Sequence, residues 1–383
     1  MIVPAARELL AAVVAENGQS AGRWGDALLA VPRHAFLPDT IWSADGHGTY
    51  TALDAHAEPD AWLATAYANA PVITQVNDGR TAGPDAPVLP SSSASSPAIV
   101  IRMLSMLDPQ PGQRVLEIGT GTGWNAALLA HVLGAGSVTT VEVDRELARR
   151  AAVALDGAAC VVTGDGAQGW APGAPYDRVL ATCAVSTVPS EWIRQTRPDG
   201  TVLTPWSSPW CDYGLLHLTV HDDGTAQGRF SPHSAFMLMR GQRRNLRVFR
   251  DVVHDDHRPE ESCTALSPWT VADDDWDLQF ALGLRCPDLW YAWHDAPAVD
   301  GVATRLWIAT TDATAWAAVD YDGQRKDRFT VWQHGTRRLW DEVEAAHDWY
   351  VRHDRPTPGR FGLTIHPAGQ RTWLNDPACP VTR

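Results

Sequence analysis

The sequence predicts an α/β fold: a Rossmann-like parallel sheet with a helical segment before it and an extra α+β domain after it. Three observations predict it. An apolar run at residues 114–118 ends in glycines at alternate positions, then turns at once into the helical pattern Ala126-Ala127-Leu128-Leu129-Ala130. Further short apolar runs follow at 138–141, 160–162 and 176–182, each separated from the last by a helical stretch. Beyond about residue 230 that alternation gives way to strand-like segments and tryptophans. Strands that alternate with helices imply parallel pairing, with any ligand at the carboxyl ends of the strands.

The glycines separate one ligand class from another. Glycine lets a backbone approach a ligand closely, and the free N–H groups of the following helix point at it. A dinucleotide site has G-x-G-x-x-G, whose third glycine would fall on Trp124. This chain has Gly119-Thr120-Gly121-Thr122-Gly123, with Glu117 two residues before the first glycine. That spacing points to S-adenosylmethionine and away from a dehydrogenase. Glu117, Gly119, Thr120, Gly121 and Gly123 are therefore candidate cofactor residues. The run 138–141 leads into Glu142-Val143-Asp144. Glu142, roughly 20 residues past the loop, stands where a carboxylate accepts two hydrogen bonds from a ribose diol. The run 160–162 leads into Thr163-Gly164-Asp165-Gly166, where Asp165 can accept from an adenine amino group beside Gly166. Any one of these acids alone would be a helix cap or a solvated side chain. Three of them on successive strands beside a glycine loop mark a cofactor edge.

Length and composition bound the rest. The 383 residues suffice for two domains, or one with a large extension. Residues 1–80 read as helical, 81–229 as the cofactor-binding core and 230–383 as a Trp-rich α+β domain expected to recognise a peptide. Within these spans, residues 78–96 are rich in Gly, Pro and Ser and read as a loop. Arg197-Pro198-Asp199-Gly200 reads as a turn before a strand at 201–205, and 338–352 as a helix. A formal charge of −14 argues against nucleic-acid partners, which need a basic face. No run approaches the ~20 apolar residues of a membrane span. The first 18 residues read as an amphipathic helix and not a signal peptide, so a cytoplasmic protein is expected. Six scattered cysteines without a C-x-x-C pair suggest neither a metal site nor a disulfide frame. Lys326 is the only lysine, which removes lysine-based chemistry from everything before it.

The assembled motifs resemble the protein-L-isoaspartate O-methyltransferase family over roughly residues 20 to 210. Ala27-Leu28-Leu29-Ala30-Val31-Pro32-Arg33-His34-Ala35-Phe36-Leu37-Pro38 is similar to that family's "vPR-x-x-F-x-P" segment, and residues 115–124 to its cofactor loop. Gly164-Asp165-Gly166-Ala167-Gln168-Gly169-Trp170 is similar to its G-D-G-x-x-G-W stretch. Val188-Pro189 and Arg194-Gln195-Thr196-Arg197-Pro198-Asp199-Gly200 are similar to its "VP…QLKPGG" turn. The resemblance implies that Glu117, Gly119, Gly121, Gly123, Glu142, Asp165 and Gly166 contact S-adenosylmethionine. It also implies that Ser95 matches the active-site serine of a T-I-S-x-P motif, here Ser93-Ala94-Ser95-Ser96-Pro97, with Ser93 and Ser96 flanking the acceptor. The Trp-rich tail departs from the short repair enzyme. It looks like that of extended actinobacterial relatives associated with ribosomal peptide natural products, the graspetide and lanthipeptide classes.

The expected activity is S-adenosylmethionine-dependent methylation of an aspartate carboxylate in a cyclised ribosomal peptide, leading to aspartimide or isoaspartate. Its partner would be the modified precursor peptide. The alternative is a general isoaspartyl methyltransferase of protein repair, and a third reading is a non-catalytic binding module. A carboxylate of pKa ~4 is already ionised at neutral pH, so the transfer needs orientation more than proton movement. Orientation supplies roughly 7–11 kcal/mol in favourable cases. Ser95 then serves as an orienting donor and not as a nucleophile. In the tail, Arg240, Arg243, Arg244, Arg247 and Arg250 follow a near-helical spacing. Arg240 and Arg244 are candidate anion-binding residues for an acidic peptide, set against a solvated face pairing with Asp251, Asp255 and Asp256. His254-Asp255-Asp256-His257 reads as a polar turn, with no metal site expected anywhere in the chain.

Overall fold

The computed structural model describes residues 2–18, 21–44, 49–80, 88–232, 234–273 and 275–381. The chain divides into two units, one of residues 1–183, 189–204 and 219–224, the other of 184–188, 205–218 and 225–383.

The first unit opens with α1 (Ile2–Asn17) and α2 (Gly22–Ala30). Helix α1 buries Ala6, Leu9 and Val13, spaced three and four apart on one stripe, and α2 buries Trp24, Ala27 and Leu28. The expectation of helix up to residue 80 fails after that. Strands β1 (Thr40–Ala44) and β2 (Tyr50–Asp54), helix α3 (Pro59–Ala66), then β3 (Val72–Val76) and β4 (Pro90–Ala94) follow. The strands form an antiparallel sheet in the order β2–β1–β3–β4. Each strand is five residues long, too short for its period to stand out from the neighbouring helices. The loop expected at 78–96 is also corrected, because its end is β4; residues 81–87 of that loop lie outside the described residues. Strand β4 is mostly serine and shows no apolar alternation. Its Ser91 and Ser92 are nonetheless buried, with Thr74 Oγ1 of β3 donating to Ser92 Oγ at 3.1 Å.

Then comes the expected alternation, except that two 3-10 turns (Gly166–Gln168 and Ala171–Gly173) stand between β7 and β8 in place of a helix: α4 (Pro97–Leu107), β5 (Val115–Ile118), α5 (Trp124–Leu133), β6 (Val138–Glu142), α6 (Arg145–Leu155), β7 (Cys160–Thr163), β8 (Tyr176–Ala181), α7 (Ser190–Arg194) and β9 (Thr196–Trp206). The strands run parallel in the order β9–β8–β5–β6–β7. All four residues of β5 are buried, as in a strand covered on both faces. The strand order reverses between β5 and β8, and such a switch point opens a crevice at the strand ends. The turn expected at 197–200 lies inside β9. Asp199 takes φ 58° there, and the pairing to β8 slips between Tyr176↔Thr196 and Arg178↔Thr201, a bulge in place of a chain reversal.

The second unit holds β10 (Gly214–Val220), β11 (Ala226–Ser231), β12 (Glu260–Thr264), α8 (Pro268–Ala272), α9 (Trp276–Arg285), β13 (Leu289–Asp295), β14 (Thr304–Thr310), β15 (Trp316–Tyr321), β16 (Phe329–His334), α10 (Leu339–Arg352), β17 (Phe361–His366) and β18 (Gly369–Leu374). Strands β12–β16–β15–β14–β13 make an antiparallel sheet, and β10, β11, β17 and β18 are neighbours in that order. Helix α10 lies where the sequence predicts one. Residues 240–250 do not form the single helix their spacing suggests. A 3-10 turn (Arg240–Gln242) and a π turn (Val248–Val252) flank an extended stretch, so the arginines share no helical face. Arg250 pairs with Asp251 at 2.7 Å, and Arg244 Nη1 donates to Thr311 O at 3.1 Å. His254 to His257 is a turn, closed by the His257 N–H on His254 O. Among the described residues no helix is long and apolar enough to cross a membrane.

Candidate active site

The loop after β5 is shaped first by the protein's own packing. Gly119 has φ 94°, and a β-carbon there would stand 2.8 Å from Thr182 Oγ1, which is bonded to Ile118 O and Gly119 O. At Gly123, the residue before α5, a β-carbon would meet Ala151 and Leu155 of α6 at 3.3 Å. Only Gly121 has room, its nearest neighbours being Ser92 Oγ at 3.7 Å and Ser93 O at 3.8 Å. Two of the three glycines thus serve strand–helix closure, and the middle one remains for close approach of a ligand.

The acids divide in the same way. Glu117 is fully buried beneath the loop. It accepts from Asn125 Nδ2 at 2.6 Å and from Thr140 Oγ1, which lies across the β5–β6 register. Burial outweighs these two donors and raises its pKa to about 7. Thr140 Oγ1 is also 2.7 Å from Thr120 Oγ1, so Glu117 and Thr120 belong to one buried chain. Glu117 therefore supports the loop from below. Glu142 closes the other side: Oε2 accepts the Gly121 N–H at 2.9 Å and Oε1 the Asp144 N–H at 3.0 Å. Asp144 in turn caps α6 and accepts from Gln75 Nε2 at 3.0 Å, tying β3 to the strand end.

Asp165 is exposed, with Oδ1 accepting the Ala167 N–H at 3.0 Å. The stretch around it is held from α7 and the residue after it. Trp192 Nε1 donates to Gly166 O at 2.8 Å, while Gln195 accepts the Trp170 N–H and donates to Gln168 O. Ser93 sits in β4 beside Gly121, and Ser95 and Ser96 follow it, all three partly buried. Ser95 O accepts from Arg33, and Ser96 Oγ lies 3.1 Å from Asn69 Oδ1. Arg240 and Arg244 belong to the second unit. Sequence reasoning assigned no role to Arg33, Asn69, Gln75, Asn125, Thr140, Thr182, Trp192 or Gln195. Arg33 and Gln195 left a trace, each standing inside a segment similar to a family motif.

The donor set fits S-adenosylmethionine. Glu142, at the end of the strand next to the loop, presents two oxygens suited to a diol. Asp165, after the following strand, is an exposed acceptor suited to an amino group, and Gly121 leaves a contact distance free.

A sequence model described as protein-L-isoaspartate(D-aspartate) O-methyltransferase (PCMT) matches residues 56–236. The chain is 33% identical over 160 residues to a protein-L-isoaspartate O-methyltransferase of Pyrococcus horikoshii, covering 41% of this chain and 72% of that protein. It is 34% identical over 226 residues to protein-L-isoaspartate O-methyltransferase 1 of Cupriavidus necator, covering 57% and 73%. A solved structure described as protein-L-isoaspartate O-methyltransferase superposes with a TM-score of 0.54 at 19% identity, over 97% of this chain and 100% of its own. That likeness is one of fold, and it extends into the Trp-rich region.

Proposed function

The chain belongs to the protein-L-isoaspartate O-methyltransferase family, and on that premise we propose that it methylates the free carboxylate of isoaspartyl residues in proteins or peptides. It is an S-adenosylmethionine-dependent methyltransferase, and the cofactor when bound supplies the methyl group as a sulfonium. Glu142, Asp165 and Gly166 hold the cofactor's polar edge, with Gly119, Thr120, Gly121 and Gly123 forming its floor. Glu117 keeps that floor in place. Ser95, with Ser93 and Ser96 beside it, orients the acceptor carboxylate, which is already ionised and needs no base. The observation that carries the reading is the approach of β4 to Gly121, which sets the serine segment against the cofactor loop.

The product ester has a better leaving group than the carboxylate. The next backbone nitrogen can close on it with loss of methanol to give a succinimide, whose hydrolysis returns aspartate or isoaspartate. The narrower expectation, an aspartate in a cyclised ribosomal peptide, took the tail as what sets this chain apart. The solved relative's likeness over 97% of the chain weakens that ground.

Intact-mass measurement of two peptides incubated with enzyme and S-adenosylmethionine tests the proposal. One is a simple isoaspartyl peptide, the other a crosslinked aspartyl peptide. A gain of one methyl on the simple peptide is expected. Modification of the crosslinked peptide alone would move the chain to peptide maturation.

A further inference from the structure

Arg33 is 1% exposed, and among the described residues no carboxylate pairs with it. Its Nη1 donates to Ala66 O and Ala68 O, and its Nη2 to Ala70 O, Ala94 O and Ser95 O, each at 3.0 Å. Burial lowers its pKa only to about 10, so the group stays charged at neutral pH. A buried cation without an anion is tolerable where carbonyl dipoles surround it. Ala66 is the last residue of α3, so part of that field comes from the negative end of a helix. The rest comes from Ala68 and Ala70 just beyond that helix, from Ala94 at the end of β4 and from Ser95 itself.

The other face of the guanidinium meets the cofactor side. Its Cζ lies 5.4 Å from the centre of the Trp124 ring, and Trp124 is the first residue of α5, directly after Gly123. Trp124 Nε1 donates to Val31 O at 3.2 Å, two residues before Arg33. One side chain therefore lies between the helix that leaves the glycine loop and the backbone that carries Ser95. Lysine cannot replace it, because one ammonium has three donors at a point, while four Nη N–H bonds here are spread over five carbonyls.

We propose that Arg33 is a positioning residue for methyl transfer: it fixes the carbonyls of Ala94 and Ser95 relative to the cofactor loop, and so sets the direction of the Ser95 hydroxyl. The inference rests on the assignment of Ser95 as the donor that orients the acceptor. Misplacement by an ångström is enough to cost on the order of 100-fold in rate.

A double-mutant cycle tests it. The variants R33K, S95A and R33K/S95A are compared with the full-length enzyme on an isoaspartyl peptide, with kcat counted per S-adenosylmethionine-binding site from calorimetric stoichiometry. R33K is expected to lower kcat by about tenfold or more with cofactor Kd within about threefold, and the double variant to be no slower than S95A alone. R33K with wild-type kcat per binding site overturns the proposal, as does a double variant whose loss is the product of the two single losses. Wild-type turnover by S95A overturns the Ser95 assignment itself, and with it any action of Arg33 through that residue. If R33K does not fold, W124F replaces it in the same cycle, since it leaves an aromatic ring, though a smaller one, and removes the bond to Val31 O. A smaller loss of kcat, again non-additive with S95A, is expected; an unchanged kcat or an additive loss overturns the proposal.

Discussion

The two units bury different chemistry. Around the loop of the first, the interior holds Arg33, Glu117, Thr120, Thr140 and Glu142, all less than 8% exposed: Glu117, Thr140 and Thr120 bond to one another, and Glu142 and Arg33 to backbone groups. In the second, one face of the five-stranded sheet packs Trp307, Trp316, Ala309 and Ala318 against Val248 and Val252. Four tryptophans there put their N–H on a protein acceptor: Trp290 on Thr310 O, Trp316 on His257, Trp332 on Asp320 and Trp340 on Glu344, while the buried Trp307 Nε1 has none among the described residues. Burying polar groups is costly unless every one is paired. Such a network is expected where a ligand must be held in one geometry, and tryptophan packing where only a stable surface is required.

The sharpest way to break this contrast is Glu142→Ala. It removes the acceptor of the Gly121 and Asp144 N–H groups and the proposed partner of the cofactor diol. Hydrogen bonds to a charged group are worth about 1.5–3 kcal/mol each, so cofactor affinity should fall on the order of 100-fold while the second unit is untouched. Calorimetric titration with S-adenosylmethionine measures it. An affinity within threefold of wild type would mean that the strand-end acid does not hold the cofactor.

A smaller effect, on stability, is expected from Glu117→Gln. The folded carboxyl, raised to about 7, keeps a proton that the unfolded chain releases near its ordinary 4.5. Between those values the folded state binds more protons, so wild-type stability falls as pH rises from about 4.5 to about 7. Glutamine carries no proton to lose, and its amide can donate to Thr140 while accepting from Asn125. The variant should therefore show a flatter dependence of Tm on pH across that window. Thermal scans at pH 5 and pH 8 decide the point: an unchanged slope would assign the wild-type dependence to other groups.

The same contrast explains what the sequence made legible. Strand β5, the glycine loop and α5 are contiguous, and their residues carry the pattern themselves, so loop and cofactor class could be read directly. The functions of those residues were less legible, because they depend on neighbours brought in by the fold. The partners of Glu117 are set by the fold: β6 places Thr140 opposite it and Asn125 reaches it from the first turn of α5. Ser92 and Ser93 look like a flexible serine tract until β3 pairs with them. Arg33 lies 62 residues from Ser95, and nothing local foretells their bond. In the second unit, α10 was visible because its apolar stripe is local. The arginines of 240–250 misled for the opposite reason, since a helical spacing need not be a helix when π and 3-10 turns are interposed.

Those arginines give the smallest and most discriminating prediction. Arg244 is exposed and bonded to Thr311 O, so its charge is available to a substrate while one of its donors is structural. Exposed ionic contacts are worth about 0.2–1 kcal/mol each. Replacing Arg240 and Arg244 together with alanine should raise KM about two- to tenfold for acidic isoaspartyl peptides, leave neutral peptides unaffected, and spare cofactor affinity. Salt separates the causes, because a contact between exposed charges is screened within about 3 Å at 1 M. If the arginines recognise substrate, wild type and variant should converge in KM for the acidic peptide at that salt. A rise that salt does not erase, and that neutral peptides share, would come from the lost bond to Thr311 O and would make the arginines part of the second unit's scaffold.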